Sequence, residues 1–321
     1  MNDVFRTKLC KKLNIDYPII QGGMAWVATG ELAGAVSQAG GLGVIGAGNA
    51  TADKVEQEID KARDITDNPI AVNLMLLSPH IEEVIDLVLE KDVSIVTTGA
   101  GNPGKYVEKL KEGNLKIIPV VSSVALAKRL SRLDVTAFIA EGNEAGGHVG
   151  ELGTMTLVPQ IVDSVDLPVI AAGGIGDARG LLAAFQLGAE AVQMGTRFVC
   201  SHECKVAPEY KKAIIDARDR DAVVTGRSTG HPVRTLKNKL TRKIHEMEKK
   251  GVDPDEIEAK AEGSLRSAAV EGNVENGSVM AGQVSGMIEE EVAVKEIINN
   301  IIFQAEELLS DQCEKFQEGS L

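Results

Sequence analysis

A chain of 321 residues with 44% apolar and 25% charged residues can build one large barrel, or one domain with a smaller insert, and is too apolar for disorder. A formal charge of −13 and only 3% aromatic residues argue against nucleic acid as a partner, which asks for basic patches or stacking rings. The four cysteines, Cys10, Cys200, Cys204 and Cys313, are scattered and read as free thiols of a reducing cytoplasm.

The first residues, MNDVFRTKLCKKLNIDYP, carry charges but no apolar signal-peptide core, and no run approaches a membrane span. A soluble, cytoplasmic protein is expected. Short β-rich runs then recur: YPIIQ (17–21), GLGVIGAG (41–48), IAVNLML (70–76), VSIVTTG (93–99), KIIPVV (116–121), AFIAEG (137–142), PVIAAGG (168–174) and AVQMGT (191–196). They are nearly continuous in hydrophobicity, as strands covered on both faces should be. Helical periodicity lies between them, as in ELAGAVSQAG (31–40) and GDARGLLAAFQLGA (176–189), each ending near a glycine able to cap it. Eight βα units without a clear reversal predict an α/β fold, a TIM (β/α)8 barrel, over a doubly wound open sheet.

After the eighth run the pattern changes. Residues 203–276 are polar, charged and largely helical in composition, whereas 276–287 return to glycine-rich loop. IEEEVAVKEIINNIIFQAEELL (288–309) reads as an amphipathic helix, the barrel's eighth, delayed by the insert. The expected domains are therefore a barrel of residues 1–202 and 277–321 and an inserted helical lid of 203–276. The insert leaves from the C-terminal rim, where barrel enzymes keep their chemistry.

Residues just past the strand ends are the site candidates. Gly173, Gly174 and Ile175, followed by a helix, and then Gly195 and Thr196 offer backbone N–H groups to one anionic group. Two tight turns that bind nothing would look the same. Gly22, Gly23 and Met24 let a backbone approach a flat ring, and Asn73 can meet its edge, though Asn at a strand end is also an ordinary turn residue. His148 stands in EGNEAGGHVGEL (141–152) among Gly142, Gly146, Gly147 and Gly150, which favours a ligand-facing imidazole over a structural one. CSHEC (200–204) has no second ligand cluster, so no metal site is expected.

Taken together, YPIIQGGMAWVA, GGLGVIGAGN, VNLMLLSP, TTGAGNP, PVVSSVALAKR, AEGNEAGGHVG, PVIAAGGIGD, GAEAVQMGTRF and GSVMAGQVSG resemble the flavin-dependent enoyl-acyl-carrier-protein reductases of FabK type, within the nitronate monooxygenase superfamily. The resemblance runs from about residue 7 to residue 305 and includes VRTLKNKLTR (233–242) in the insert. NPIAVN and residues 245–262 depart from the familiar pattern. The resemblance implies FMN, with its phosphate on Gly173, Gly174, Gly195 and Thr196 and its ring near Gly22, Gly23, Met24 and Asn73. It extends the cofactor-binding set to Glu141, Ala172, Gln193, Met194, Met280 and Gln283, and makes His148 catalytic, as proton source or as donor to the thioester oxygen. NADH or NADPH would be co-substrate, with room for a monovalent cation, an acyl carrier protein would present the trans-2-enoyl substrate, and a homodimer is implied. No βαβ fingerprint chooses between the two nicotinamides.

Three rivals stand beside this reading. A nitronate monooxygenase would use the same flavin site with molecular oxygen as oxidant. A flavin-free barrel isomerase or synthase would use the cradle for a sugar phosphate. The inosinate-dehydrogenase type needs a loop cysteine after the sixth strand, and residues 141–158 contain none. One further stretch bears on the partner. RTLKNKLTRK (234–243) holds Arg234, Lys237, Lys239, Arg242 and Lys243 and no acid, and reads as a basic helix that either docks an acidic carrier or is simply solvated.

Overall fold

The eight apolar runs become eight parallel strands because burial on both faces suits continuous hydrophobic sequence. The protein is described here from a computed structural model covering residues 3–91 and 93–318. The strands are β1 (Ile19–Gln21), β2 (Gly43–Gly46), β3 (Ile70–Met75), β4 (Ile95–Gly99), β5 (Lys116–Val121), β6 (Phe138–Glu141), then, past a two-residue β7 (Gly147–His148), β8 (Val169–Ala172) and β9 (Ala191–Met194). Their order is β1-β9-β8-β6-β5-β4-β3-β2. A parallel bridge from Ile20 to Leu42 joins the two ends, with Gln21 N donating to Leu42 O at 2.9 Å and Leu42 N to Ile19 O at 2.9 Å. The sheet is closed. It is a TIM barrel.

Alternation along each strand sorts the side chains into two layers. Ile20, Val44, Ala71, Ile95, Ile118, Ile139, Ile170 and Ala191 fill the barrel interior. Ile19, Ile45, Val72, Val96, Ile117, Phe138, Ala171 and Val192 face the outer helices. Leu9 and Leu13, on the helix Lys8–Leu13, join the inner layer. Two residues further along each strand, the same parity points Gly22, Gly46, Asn73, Thr97, Val120, Glu141, Ala172 and Gln193 inward at the C-terminal end. That ring is the mouth.

The last helix spans Val294–Glu318 and packs on the helices Gly30–Gln38 and Ala178–Gln186, so it does complete the outer ring. It starts at Val294, not at 288. Residues before it form the turn Gln283–Met287 and a bridge from Val292 to Ser201, and Glu203 caps the helix by accepting from Val294 N at 3.0 Å. Glu291 is thereby kept out of the helix and pairs with the buried Lys211 at 2.6 Å.

The stretch 203–276 does carry helices, at Pro208–Ile215, Lys239–Lys249, Pro254–Ala261 and Ser264–Glu271. It also carries an antiparallel hairpin, β10 (Ala222–Thr225) and β11 (Val233–Leu236), to which β7 adds as a third strand. The hairpin corrects the reading of 234–243 as one helix. No helix among the described residues is long and apolar enough to cross a membrane.

Candidate active site

The mouth is polar, and several of its groups have no hydrogen-bond partner among the described residues. Asn73 donates to Thr97 Oγ1 at 2.8 Å, and no donor to its side-chain carbonyl is found among the described residues. Gln193 is buried beside Gly22, and no hydrogen bond from its amide is found among the described residues. Gly23 is required by close approach: a Cβ there would lie 2.3 Å from the Asn73 Cβ. Gln21 underpins this loop by accepting from Val44 N at 3.2 Å and donating to Val44 O at 3.1 Å. The Met24 sulfur lies over Gly195, 3.2 Å from where a Cβ would be.

Glu141 points into the same space. It keeps a little accessible surface, but its carboxyl lies deep among protein atoms with no hydrogen bond among the described residues. Burial alone pushes its pKa up to about 7. Near neutrality it can hold a proton and donate it in a hydrogen bond.

The loops after β8 and β9 leave two paired strands side by side at the rim. Gly173 at φ +95° and Gly174 at φ +72° turn the backbone in the left-handed region. No acceptor for the backbone N–H of Gly173, Gly174 or Gly195 is found among the described residues. Unsatisfied donors converging at a strand rim suit an anion. The following helix, Ala178–Gln186, is already capped by Asp177, which accepts from Gly180 N at 3.1 Å, so the cradle is built of loop amides and not of that helix end. Thr196 Oγ1 accepts from Gly282 N at 3.0 Å, which draws the segment holding Met280 and Gln283 against the cradle.

Not every expected residue presents its side chain here. Met194 belongs to the outer layer, and only its carbonyl, accepting from Gly22 N at 3.0 Å, bears on the mouth. Ala172 contributes its carbonyl to Gly142 N at 2.9 Å. Gln283 is exposed, with its backbone N donating to Glu144 O at 2.9 Å. Met280 lies half-buried beside Gly147, and its carbonyl accepts from Tyr210 Oη at 3.0 Å.

The glycine loop carries His148 to the rim. Gly146 packs backbone to backbone on Ala281 and Gly282, an approach a Cβ would block at 2.7 Å. Gly147 takes φ +80°. The His148 ring is exposed by area yet ringed by protein, and desolvation, with the nearby His231 second, holds its pKa below the usual value. At neutral pH it is an uncharged imidazole with one N–H to give.

Other residues around the site were missed or misplaced from sequence. Glu144 accepts from Thr154 N at 2.9 Å and from Thr154 Oγ1 at 2.9 Å, capping the helix Thr154–Val162, whose N-cap is the side-chain-less Gly153. A glycine at an N-cap beside a loop acid is the cue that could have found it. Arg234 is 4% exposed and binds Asn143, so it is not a surface charge. His202 pairs with Glu291 at 3.3 Å, and Cys200 and Cys204 are buried free thiols. Two cavities, of about 490 and 330 Å³, lie off the mouth, the first beside Glu31 and Lys295 and the second beside Asp221 and Glu275. The site is placed by strand parity and unpaired polar groups, not by cavity size.

The family model for nitronate monooxygenase matches residues 6–85 and 79–304. A probable nitronate monooxygenase of Staphylococcus saprophyticus is 39% identical over 354 aligned positions, covering 95% of this chain and 99% of that protein. The structure of FabK from Thermotoga maritima is 49% identical, with a TM-score of 0.94, covering 97% of this chain and 99% of that one. A nitroalkane oxidase of Streptomyces ansochromogenes is 26% identical with a TM-score of 0.85, covering 95% and 100%.

Proposed function

We propose, from the premise that this chain belongs to the nitronate monooxygenase family and is an oxidoreductase, that it is an FMN-dependent enoyl-acyl-carrier-protein reductase. The observation that carries this reading is the 49% identity to FabK from Thermotoga maritima, which extends over 97% of the chain and so through the insert. The match to the probable nitronate monooxygenase is lower at 39%, and needs 354 positions to align a chain of 321.

The residues present fit FMN. The unpaired amides of Gly173, Gly174 and Gly195 with Thr196 would take its phosphate, and Asn73 and Gln193 would meet the ring edge across Gly22 and Gly23. When bound, FMN supplies two-electron redox chemistry between NADH or NADPH and the substrate. The protein supplies placement and electrostatics.

Reduction of an enoyl thioester puts negative charge on the thioester oxygen and a proton on the α-carbon. His148, uncharged and rimmed by protein, can donate its N–H to that oxygen, and such donors are worth about 10²–10³ in rate. Glu141, with its pKa pushed up to about 7, can when protonated donate to an acceptor inside the mouth without adding a negative charge there. An acyl carrier protein would deliver the substrate.

A second reading, nitronate monooxygenase, is favoured by the name of the 39% relative, with His148 as base. An anaerobic series separates them. Reduced nicotinamide should bleach the flavin, and a crotonyl thioester should restore its absorbance faster than oxygen does. Turnover of a nitronate with oxygen, and no response to the thioester, would replace the first reading with the second.

A further inference from the structure

The loop that carries His148 contains four glycines, which leave its backbone few constraints of its own, so contacts from outside hold much of its shape. The hairpin of the insert does this. Arg234, on β11, spreads its planar fork over two chain segments: Nε donates to Asn143 O at 3.0 Å, Nη2 to Asn143 Oδ1 at 2.7 Å, and Nη1 to Ala222 O at 3.1 Å. Asn143 in turn closes the base of the loop, its N donating to Leu152 O at 2.7 Å and its Nδ2 to Gly150 O. Across the strands, Arg234 stands opposite Gly147 and Val233 opposite His148, and Val149 N donates to Pro232 O at 3.1 Å.

We infer that Arg234 is a positioning residue, which fixes the register of β7 on β11 and so sets where the His148 imidazole stands over the mouth. The inference rests on the proposed role of His148. A buried guanidinium is costly unless each fork is used, and here both backbone and side-chain oxygens of one residue face it. Glu144 nearby offsets part of the burial, against the opposing Arg227. Lysine, a single point of charge on a flexible stem, cannot reproduce the fork. The titratable group that acts on His148 is His231, paired with Glu258 at 2.6 Å, while Arg227, which opposes Arg234, is paired with Glu151 at 3.0 Å.

The test is Arg234→Lys in the flavin-loaded full chain, read in two ways. NMR titration of ring-labelled histidine, with His148 assigned by its loss in His148→Gln, should show the His148 pKa moved from its wild-type value as the ring changes place over the mouth. Stopped-flow should show flavin reduction by the nicotinamide unchanged and reoxidation by crotonyl thioester slowed at least about tenfold, the size expected for a displaced donor. If Arg234→Lys does not fold, Asn143→Ala removes the Oδ1 acceptor together with the Nδ2 bond to Gly150 O, and should move both readouts the same way. An unmoved His148 titration in whichever variant folds overturns the inference. A moved titration in a protein that turns over nitronates instead of thioesters keeps the inference and discards the reductase reading.

Discussion

Gly174 holds φ +72°, and a Cβ there would sit 3.1 Å from the Glu144 Cβ, so a β-branched side chain meets both backbone strain and a neighbour. Strain of this kind costs about 1–3 kcal/mol, which a core of this size can absorb, while the unpaired amides of the cradle are displaced. Gly174→Val is therefore expected to fold but to purify without flavin, and a fully yellow variant would refute the cradle. Glu141 permits a test without any flavin. Its ordinary pKa of 4.5 is raised to about 7, so between those values the folded chain keeps a proton that the unfolded chain has lost. Stability contributed here is greatest at low pH and falls as pH rises through that window, by at most about 3 kcal/mol. Glu141→Gln removes the titration. In flavin-free protein the variant should gain on wild type in urea denaturation at pH 8 by about 1–3 kcal/mol more than it does near pH 4, below the window. An equal difference at both values would mean that Glu141 is already ionised.

The closing helix, Val294–Glu318, seals the ring between its first and last partners, and Ile298 is fully buried where it packs near Gly41. Ile298→Ala should cost about 2–5 kcal/mol in chemical denaturation while leaving the half-reactions of the surviving folded protein unchanged. Elements of this kind were legible in the sequence, because a parallel barrel writes its strands as unbroken apolar runs. The mouth was partly legible for the same reason: once Ile139 and Ala191 are inside, parity turns Glu141 and Gln193 the same way. The hairpin β10–β11 was not legible, since each of its strands is a short run set in a charged, helix-rich stretch, and its register depends on β7, whose partner residues lie more than eighty positions away. Arg234 read as a surface cation for want of sight of Asn143, 91 residues earlier. The start of the last helix was misread because three consecutive glutamates favour a first turn by charge, whereas Glu291 is taken by Lys211.

At the scale of the whole molecule, charge governs how an acidic carrier could approach. The chain has a formal charge of −13, so long-range repulsion has to be offset by a local basic surface. The structure narrows the candidates from 234–243. Arg234 is buried, Lys237 lies 3.7 Å from Asp221, and Lys239 pairs with Glu275. Arg242 and Lys243 remain exposed on the helix Lys239–Lys249, with no carboxylate partner found among the described residues. If this face receives the carrier, the double variant Arg242→Glu with Lys243→Glu should raise KM for carrier-bound substrate about tenfold with kcat little changed, since rim charges act on encounter more than on chemistry. The difference between variant and wild type should shrink as salt shortens the reach of the charges to a few ångströms, about 3 Å at 1 M. A crotonyl pantetheine analogue has no acidic protein to repel, so its KM should not move. Equal changes for both substrates would place the damage in the mouth and remove this helix from the docking surface.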